Sequence, residues 1–217
     1  MEHFKNFFKI LHPALRITLV LLLICGLGYP LFMTGVSQVL FPRQANGSLL
    51  SVDGQPVGSQ FVGQEFTEDH FMKGRPSAVH YNTYQVDSTG TETYLDGTPF
   101  TGLASGSSNY GPSNPALQQR VEEDMEKFLA ANPGVSREDI PTDLMTASGS
   151  GLDPHISPES ARIQLPAIAE ASGLSMETLE QIVADNSTEK LLGIFGEEVV
   201  HVLGVNIDIA EAMDAAK

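Results

Sequence analysis

Cysteine occurs once in 217 residues, which excludes an internal disulfide framework and any cysteine-cluster metal site. That residue, Cys25, lies among Leu23, Ile24 and Leu27, apolar surroundings that disfavour a reactive thiolate. Basic residues are scarce as well: 12 Lys and Arg stand against 27 Asp and Glu, a formal net charge of −15. Such a chain repels phosphate backbones and anionic headgroups, so a nucleic-acid role is excluded. Charged residues of both signs make up only 18% of the sequence, low for a soluble globular protein and expected where one segment sits in lipid. The length suits one domain plus an anchor and is too short for a multi-span transporter carrying its own catalytic machinery.

What is present is divided sharply. Residues 1–16 carry Lys5, Lys9 and Arg16 against Glu2, a balance of +2, which leaves −17 on the rest. Between them lies an apolar run: from Ile17 to Pro42 the only ionisable side chains are Cys25 and Tyr29. About 20 helical residues cross a hydrocarbon core of about 30 Å, so this run spans a bilayer with some tilt. The segment after Cys25 reads GLGYPLFMTG, with large residues where signal peptidase needs small ones, and Ile24 fills the position where a lipoprotein signal needs a small residue. The expectation is an uncleaved anchor over 15–36, a cytoplasmic segment 1–14 on the basic side, and residues 37–217 outside the cytoplasm. Gly28 and Gly35 share a helix face with Thr34 beside it, and Pro30 opens a gap opposite the Gly26 carbonyl; small residues on one face allow close approach of another helix.

Residues 37–217 read as an α+β domain with a small sheet. Asn46-Gly47 and Asp53-Gly54 are turn signals, followed by a predicted strand over Ser59–Phe66. Gly90–Pro115 is loop-rich. Asn114 and Pro115 open a helix whose apolar positions Leu117, Val121, Met125, Phe128 and Leu129 recur until Asn132-Pro133-Gly134. A second helix is predicted from Ser157-Pro158 to about Ala171 with a kink at Pro166 and a stop at Gly173, and a third after Ser175. Val199–Ile209 alternates and is read as a strand.

Reactive residue types are densest in Thr146–Ser157, TASGSGLDPHIS. Ser148, Ser150, Asp153 and His155 invite comparison with a serine hydrolase, yet neither serine has glycine at both positions two residues away, as a nucleophile elbow requires. Asp153-Pro154 reads as a turn and Ser157-Pro158 as a helix start, which accounts for these residues without catalysis. The six histidines include no i, i+4 pair; His70 beside Glu68 and Asp69 offers at most a weak metal site. Glycines over 102–111 and 149–151 form candidate anion cradles, but neither is a nucleotide phosphate loop.

Five stretches carry a resemblance: Tyr29–Leu49 (YPLFMTGVSQVLFPRQANGSL), Gly63–Ala78 (GQEFTEDHFMKGRPSA), Ser107–Leu117 (SSNYGPSNPAL), Asp143–Gln164 (DLMTASGSGLDPHISPESARIQ) and Gly196–Asp208 (GEEVVHVLGVNID). Together they resemble the C subunits of Kdp-type potassium-transporting P-type ATPases, from about Leu15 to Asp208. Glu197-Glu198 departs from the family's less acidic pair. The resemblance implies a non-catalytic accessory subunit in the cell (inner) membrane, without a cofactor or metal of its own. It also implies companions: a channel-like potassium-binding subunit, a P-type ATPase subunit and a small single-helix subunit. Consistently, the chain has neither a phosphorylatable DKTG aspartate nor a TVGYG-type filter. The family signature falls on Gln38, Arg43, Gln44, Asn46, Gly47, Ser148, Gly149, Ser150, Gly151, Asp153 and His155, with structural or partner-contact roles implied. The family is further described as a catalytic chaperone that raises the ATP affinity of the catalytic subunit. An outer domain meets essentially no ATP, so any such effect is expected to act by coupling through the complex. Two other classes remain open at this stage: an anchored extracytoplasmic hydrolase using Ser150 and His155, which acts as an isolated outer domain, and a membrane-tethered sensor, which needs an apolar ligand pocket.

Overall fold

A computed structural model describes residues 2–216, with side chains from residue 9 onward, and divides into two compact units, Met1–Leu49 and Leu50–Lys217. The first unit is helical. α1 (Glu2–Leu21) runs through a π-helical segment (Leu22–Gly28) into α2 (Tyr29–Leu40), and a short α3 (Pro42–Ala45) follows. The π segment has a direct cause in the sequence. Pro30 has no N–H for the Gly26 carbonyl and its ring crowds that oxygen, and a wider turn just before it absorbs the mismatch; the Tyr29 N–H accordingly donates to the Ile24 carbonyl, five residues back. Lys9–Leu40 is the one stretch among the described residues that is helical, long and apolar enough to cross a membrane, and its leucines are exposed. The helix therefore begins before the apolar run and ends just inside it, at Leu40.

The second unit is a mixed α+β domain with three small sheets, in agreement with the fold class expected. β1 (Leu49–Val52) and β2 (Gln55–Ser59) form a hairpin over Asp53-Gly54, both of which take the positive φ that a tight hairpin turn requires (51° and 77°). β3 (Tyr84–Val86) and β4 (Glu92–Tyr94) form a second, antiparallel hairpin, so the glycine-rich region contains one short strand before its long irregular course. α4 (Pro115–Ala131) starts where its cap predicts: the Asn114 side chain accepts from the Ala116 N–H.

The core lies in the last third of the chain. β5 (His155–Ile156), β6 (Ser187–Thr188) and β7 (Val199–His201) form an antiparallel sheet in the order β5-β7-β6. Against it pack α5 (Pro158–Arg162), α6 (Leu165–Ser172), α7 (Met176–Asp185) and α8 (Val202–Ala215). Ile156, Leu165, Ile168, Leu179, Val200, Val205 and Ile209 are buried together with Met72 from a distant strap.

Three expectations need correction. Ser59–Phe66 is not a strand: β2 ends at Ser59, a turn bridges Ser59 to Val62, and the rest is a strap whose bonds include the Gly63 N–H to the Leu152 carbonyl, the Glu65 N–H to the Thr83 hydroxyl and the Gln64 side chain to the Val57 carbonyl. The helix from Ser157 breaks in two, because Pro166 cannot donate to the Arg162 carbonyl; α5 ends there and α6 restarts with the proline in its first turn. Val199–Ile209 is a strand only as far as His201. There the imidazole Nδ1 accepts from the Gly204 N–H and caps α8, whose buried positions Val202, Val205 and Ile209 follow helical spacing.

Candidate functional site

The serine-rich segment Thr146–Ser157 is the hub of a knot of loops. Ser148 is buried, and its hydroxyl accepts from the Gly151 N–H at 2.8 Å; the exposed Ser150 hydroxyl accepts from the Leu152 N–H at 3.1 Å. Both hydroxyls thus serve local turns. The glycine-rich stretches that read as anion cradles turn their donors on each other: the Gly106 N–H and the Ser105 hydroxyl both donate to the Ser150 carbonyl. Gly149 has open space where a Cβ would stand, whereas Gly151 has φ 69° and a Cβ there would lie 2.7 Å from Val79 and 2.8 Å from the Gly106 carbonyl. Only glycine fits at 151.

Arg75 ties this hub to a second loop. Its guanidinium meets Asp153 at 3.1 Å and donates to the Thr146 carbonyl at 3.3 Å, and its own carbonyl accepts from the Tyr81 hydroxyl at 2.7 Å. Burial raises the Asp153 carboxyl, but hydrogen bonds from the His155 side chain and backbone, then Arg75, outweigh it and hold the group below the usual carboxylate range. Burial, reinforced by the Asp153 charge, pushes the Tyr81 phenol far above its ordinary value, so it remains a donor. Tyr81 is the centre of an unusual turn: His80, Tyr81 and Asn82 all take left-handed φ (47°, 51° and 55°). For three successive non-glycine residues this costs about 1–2 kcal/mol each, and the surroundings over-determine it. Ser77 accepts from the N–H groups of Val79 and Tyr81 and donates to the Gly151 carbonyl, while the Asn82 amide exchanges two hydrogen bonds with the backbone of Ala104.

His155 pairs across the sheet with His201, their rings 5.6 Å apart, and its Nδ1 lies 3.7 Å from Asp153. Ser157 caps α5 and, with Ser160, donates to Asp143. Beside the knot opens a cleft of about 790 Å³ in which His80 lies 3.8 Å from Glu65 and 3.9 Å from Asp96; burial raises the Glu65 carboxyl, with His80 opposing. A second groove, about 890 Å³, is strongly acidic. Among the described residues no three His, Cys, Asp or Glu side chains form a metal-binding group, His70 with its neighbours included.

In the first unit Gln38 and Asn46 exchange side-chain amide hydrogen bonds at 3.1 and 3.3 Å, and Asn46 also donates to the Pro42 carbonyl. The Arg43 and Gln44 carbonyls accept from the Ser48 and Gly47 N–H groups. This part of the signature builds the corner where the helix ends. Gly28, Pro30, Thr34 and Gly35 lie on the helix with no buried neighbour, and a Cβ at Gly35 meets open space.

The model of the family described as KdpC: K+-transporting ATPase, c chain, matches residues 11–211. The chain belongs to the KdpC family. It is 56% identical over 209 residues to the potassium-transporting ATPase KdpC subunit of Clostridium kluyveri, covering 96% of this chain and 97% of that one. The KdpC subunit of Clostridioides difficile is 56% identical over 94% of this chain and 98% of its own length, and that of Rhodopseudomonas palustris 47% over 96% and 99%. KdpC subunits are non-catalytic, and a single-pass membrane protein is what the helix and the family describe together. Sequence reading missed Arg75, Ser77, Tyr81 and Asn82 as parts of the knot; the signal available was an arginine beside a proline and small residues in an otherwise acidic domain.

Proposed function

We propose that the chain is the accessory C subunit of an ATP-driven potassium-uptake complex, inserted with its N-terminus in the cytoplasm and its second unit outside. In this role it holds a channel-like potassium-binding subunit, a P-type ATPase subunit and a small single-helix subunit in working arrangement. The observation that carries the reading is the family match over residues 11–211. The knot supports it, because the reactive-looking side chains of Thr146–Ser157 other than His155 are committed to shaping loops: Ser148 and Ser150 to turns, Ser157 to a helix cap, Asp153 to Arg75. Any influence on ATP affinity is transmitted through the assembled subunits, since the second unit lies on the side without ATP.

Purification of the tagged full chain from mild detergent tests assembly: the companion subunits are expected in the eluate, and a chain that elutes alone contradicts the proposal. Orientation is read separately. With Cys25→Ala as background, Ser88→Cys on the exposed β3–β4 turn is expected to react with a membrane-impermeant thiol reagent in intact cells. Labelling only after lysis reverses the topology.

A further inference from the structure

Between β6 and β7 the chain makes an excursion that contributes nothing to the core. Leu191, Leu192, Ile194 and Phe195 are 69%, 81%, 76% and 62% exposed, four large apolar side chains within five residues. The backbone beneath them is fixed. Leu191 and Phe195 exchange N–H···O bonds of 2.8 and 3.0 Å, the Gly193 N–H donates to the Lys190 carbonyl, and the Ile194 N–H donates to the Leu191 carbonyl. Leu192 is held at φ 56° at the tip, with Gly193 at 72°. A left-handed leucine pointing into water is unfavourable twice over, in backbone and in solvation, whereas an ordered apolar tip loses little entropy on docking.

The flanks show what kind of surface it fits. Glu189, Glu197 and Glu198 flank the hairpin in sequence with Lys190 alone among them, and Lys190 is 3.2 Å from Glu197. Glu197 and Glu198 also form one wall of the acidic groove, together with Glu138, Asp139 and Glu159, against Arg75. Anionic headgroups are repelled by such a rim, and by the −17 carried beyond residue 16. A protein surface with an apolar pocket and basic neighbours is complementary to both features. We propose that the Leu191–Phe195 hairpin is a docking finger that inserts into an apolar socket with a basic rim on another protein subunit of the transport complex. This rests on the accessory-subunit reading above, which supplies that subunit.

The test uses the tagged full chain co-expressed with its companion subunits. Leu192→Ser with Ile194→Ser removes no buried contact, so circular dichroism and the thermal midpoint stay at the parent values while companion recovery falls at least tenfold. Glu197→Lys with Glu198→Lys lowers recovery several-fold. A photoreactive residue in the finger (Leu192→p-benzoylphenylalanine) forms adducts of protein mass in the co-expressing membranes. Parent-level recovery by the Leu192/Ile194 variant, or adducts to lipid alone or to nothing, overturns the finger. The parent's own recovery is a separate reading: if the parent brings down no companions, the accessory-subunit function fails, and the adducts still decide between a protein socket and lipid.

Discussion

Side-chain amides do in this molecule what sheet edges do elsewhere. Asn206 is buried and exchanges two hydrogen bonds with the backbone of Met72, and Gln164 does the same for Lys73. α8 and the junction between α5 and α6 thereby hold an irregular strap as if it were a paired strand. Asn206→Ala leaves a buried N–H and C=O unpaired, and chemical denaturation is expected to show a loss of about 2–4 kcal/mol. The serines of the signature give a second prediction. Ser148→Ala strands the Gly151 N–H inside the knot and is expected to lower the thermal midpoint more than Ser150→Ala, whose partner lies at the surface. A nucleophile at Ser150 predicts little effect on stability and a lost esterase activity. A third concerns pH. Burial first, then the neighbouring His155 imidazole, lower the His201 pKa below its ordinary value, against a weaker pull upward from the Gln60 carbonyl. The unfolded chain therefore binds more protons near and below pH 6.5, so stability is fully present above that pH and is lost as pH falls through the lower folded value. Protonation also removes the Nδ1 acceptor that caps α8. Denaturant midpoints at pH 7.5 and 5 are expected to differ, and to differ less in His201→Asn, which keeps a cap without the titration. None of these amide and imidazole roles was legible in the sequence, because each depends on groups far apart along the chain.

At the scale of elements, legibility followed the caps. Asn114-Pro115, Ser157-Pro158 and Ser175 each announce a helix start by local chemistry, and each side chain accepts the N–H bond its position predicts. The start of α8 was hidden, since histidine is an uncommon cap and Val199-Val200-His201 does pair as a strand before the chain turns helical. The strap over Ser59–Phe66 was hidden for a different reason: Phe61 and Val62 are exposed, Phe66 packs against the core, and the backbone pairing within it is the isolated Ser59–Val62 bridge. The anchor was legible from its length, and so was the hydrogen bond that Pro30 denies the Gly26 carbonyl, but not the π segment that absorbs the loss; the use of the glycine face is a matter of partners. Gly28→Leu with Gly35→Leu keeps hydrophobicity and hence insertion, and meets no atom of this unit closer than 3.5 Å at Cβ. The double variant is expected to insert normally and to recover less of the companion subunits, with growth at limiting K⁺ falling in parallel. Parent-like assembly assigns that face to lipid.

The whole molecule is a scaffold whose side-chain chemistry is spent on holding its own loops and helices in place. A helical anchor, a core of helices on a three-stranded sheet, and a knot of loops tied together by Arg75, Asp153 and Tyr81 leave as outward features the apolar finger, the acidic groove and the cleft around His80. Family membership was legible in the sequence because the signature words are local strings, whereas the knot they build joins segments more than 70 residues apart. As an accessory subunit, the chain is expected to be required for potassium uptake without performing a reaction of its own. The decisive measurement is growth at limiting K⁺ of a strain deleted for this chain alone, its companion subunits intact. No growth is expected, with rescue by the full-length chain; growth of the deletion strain equal to the parent would contradict the requirement.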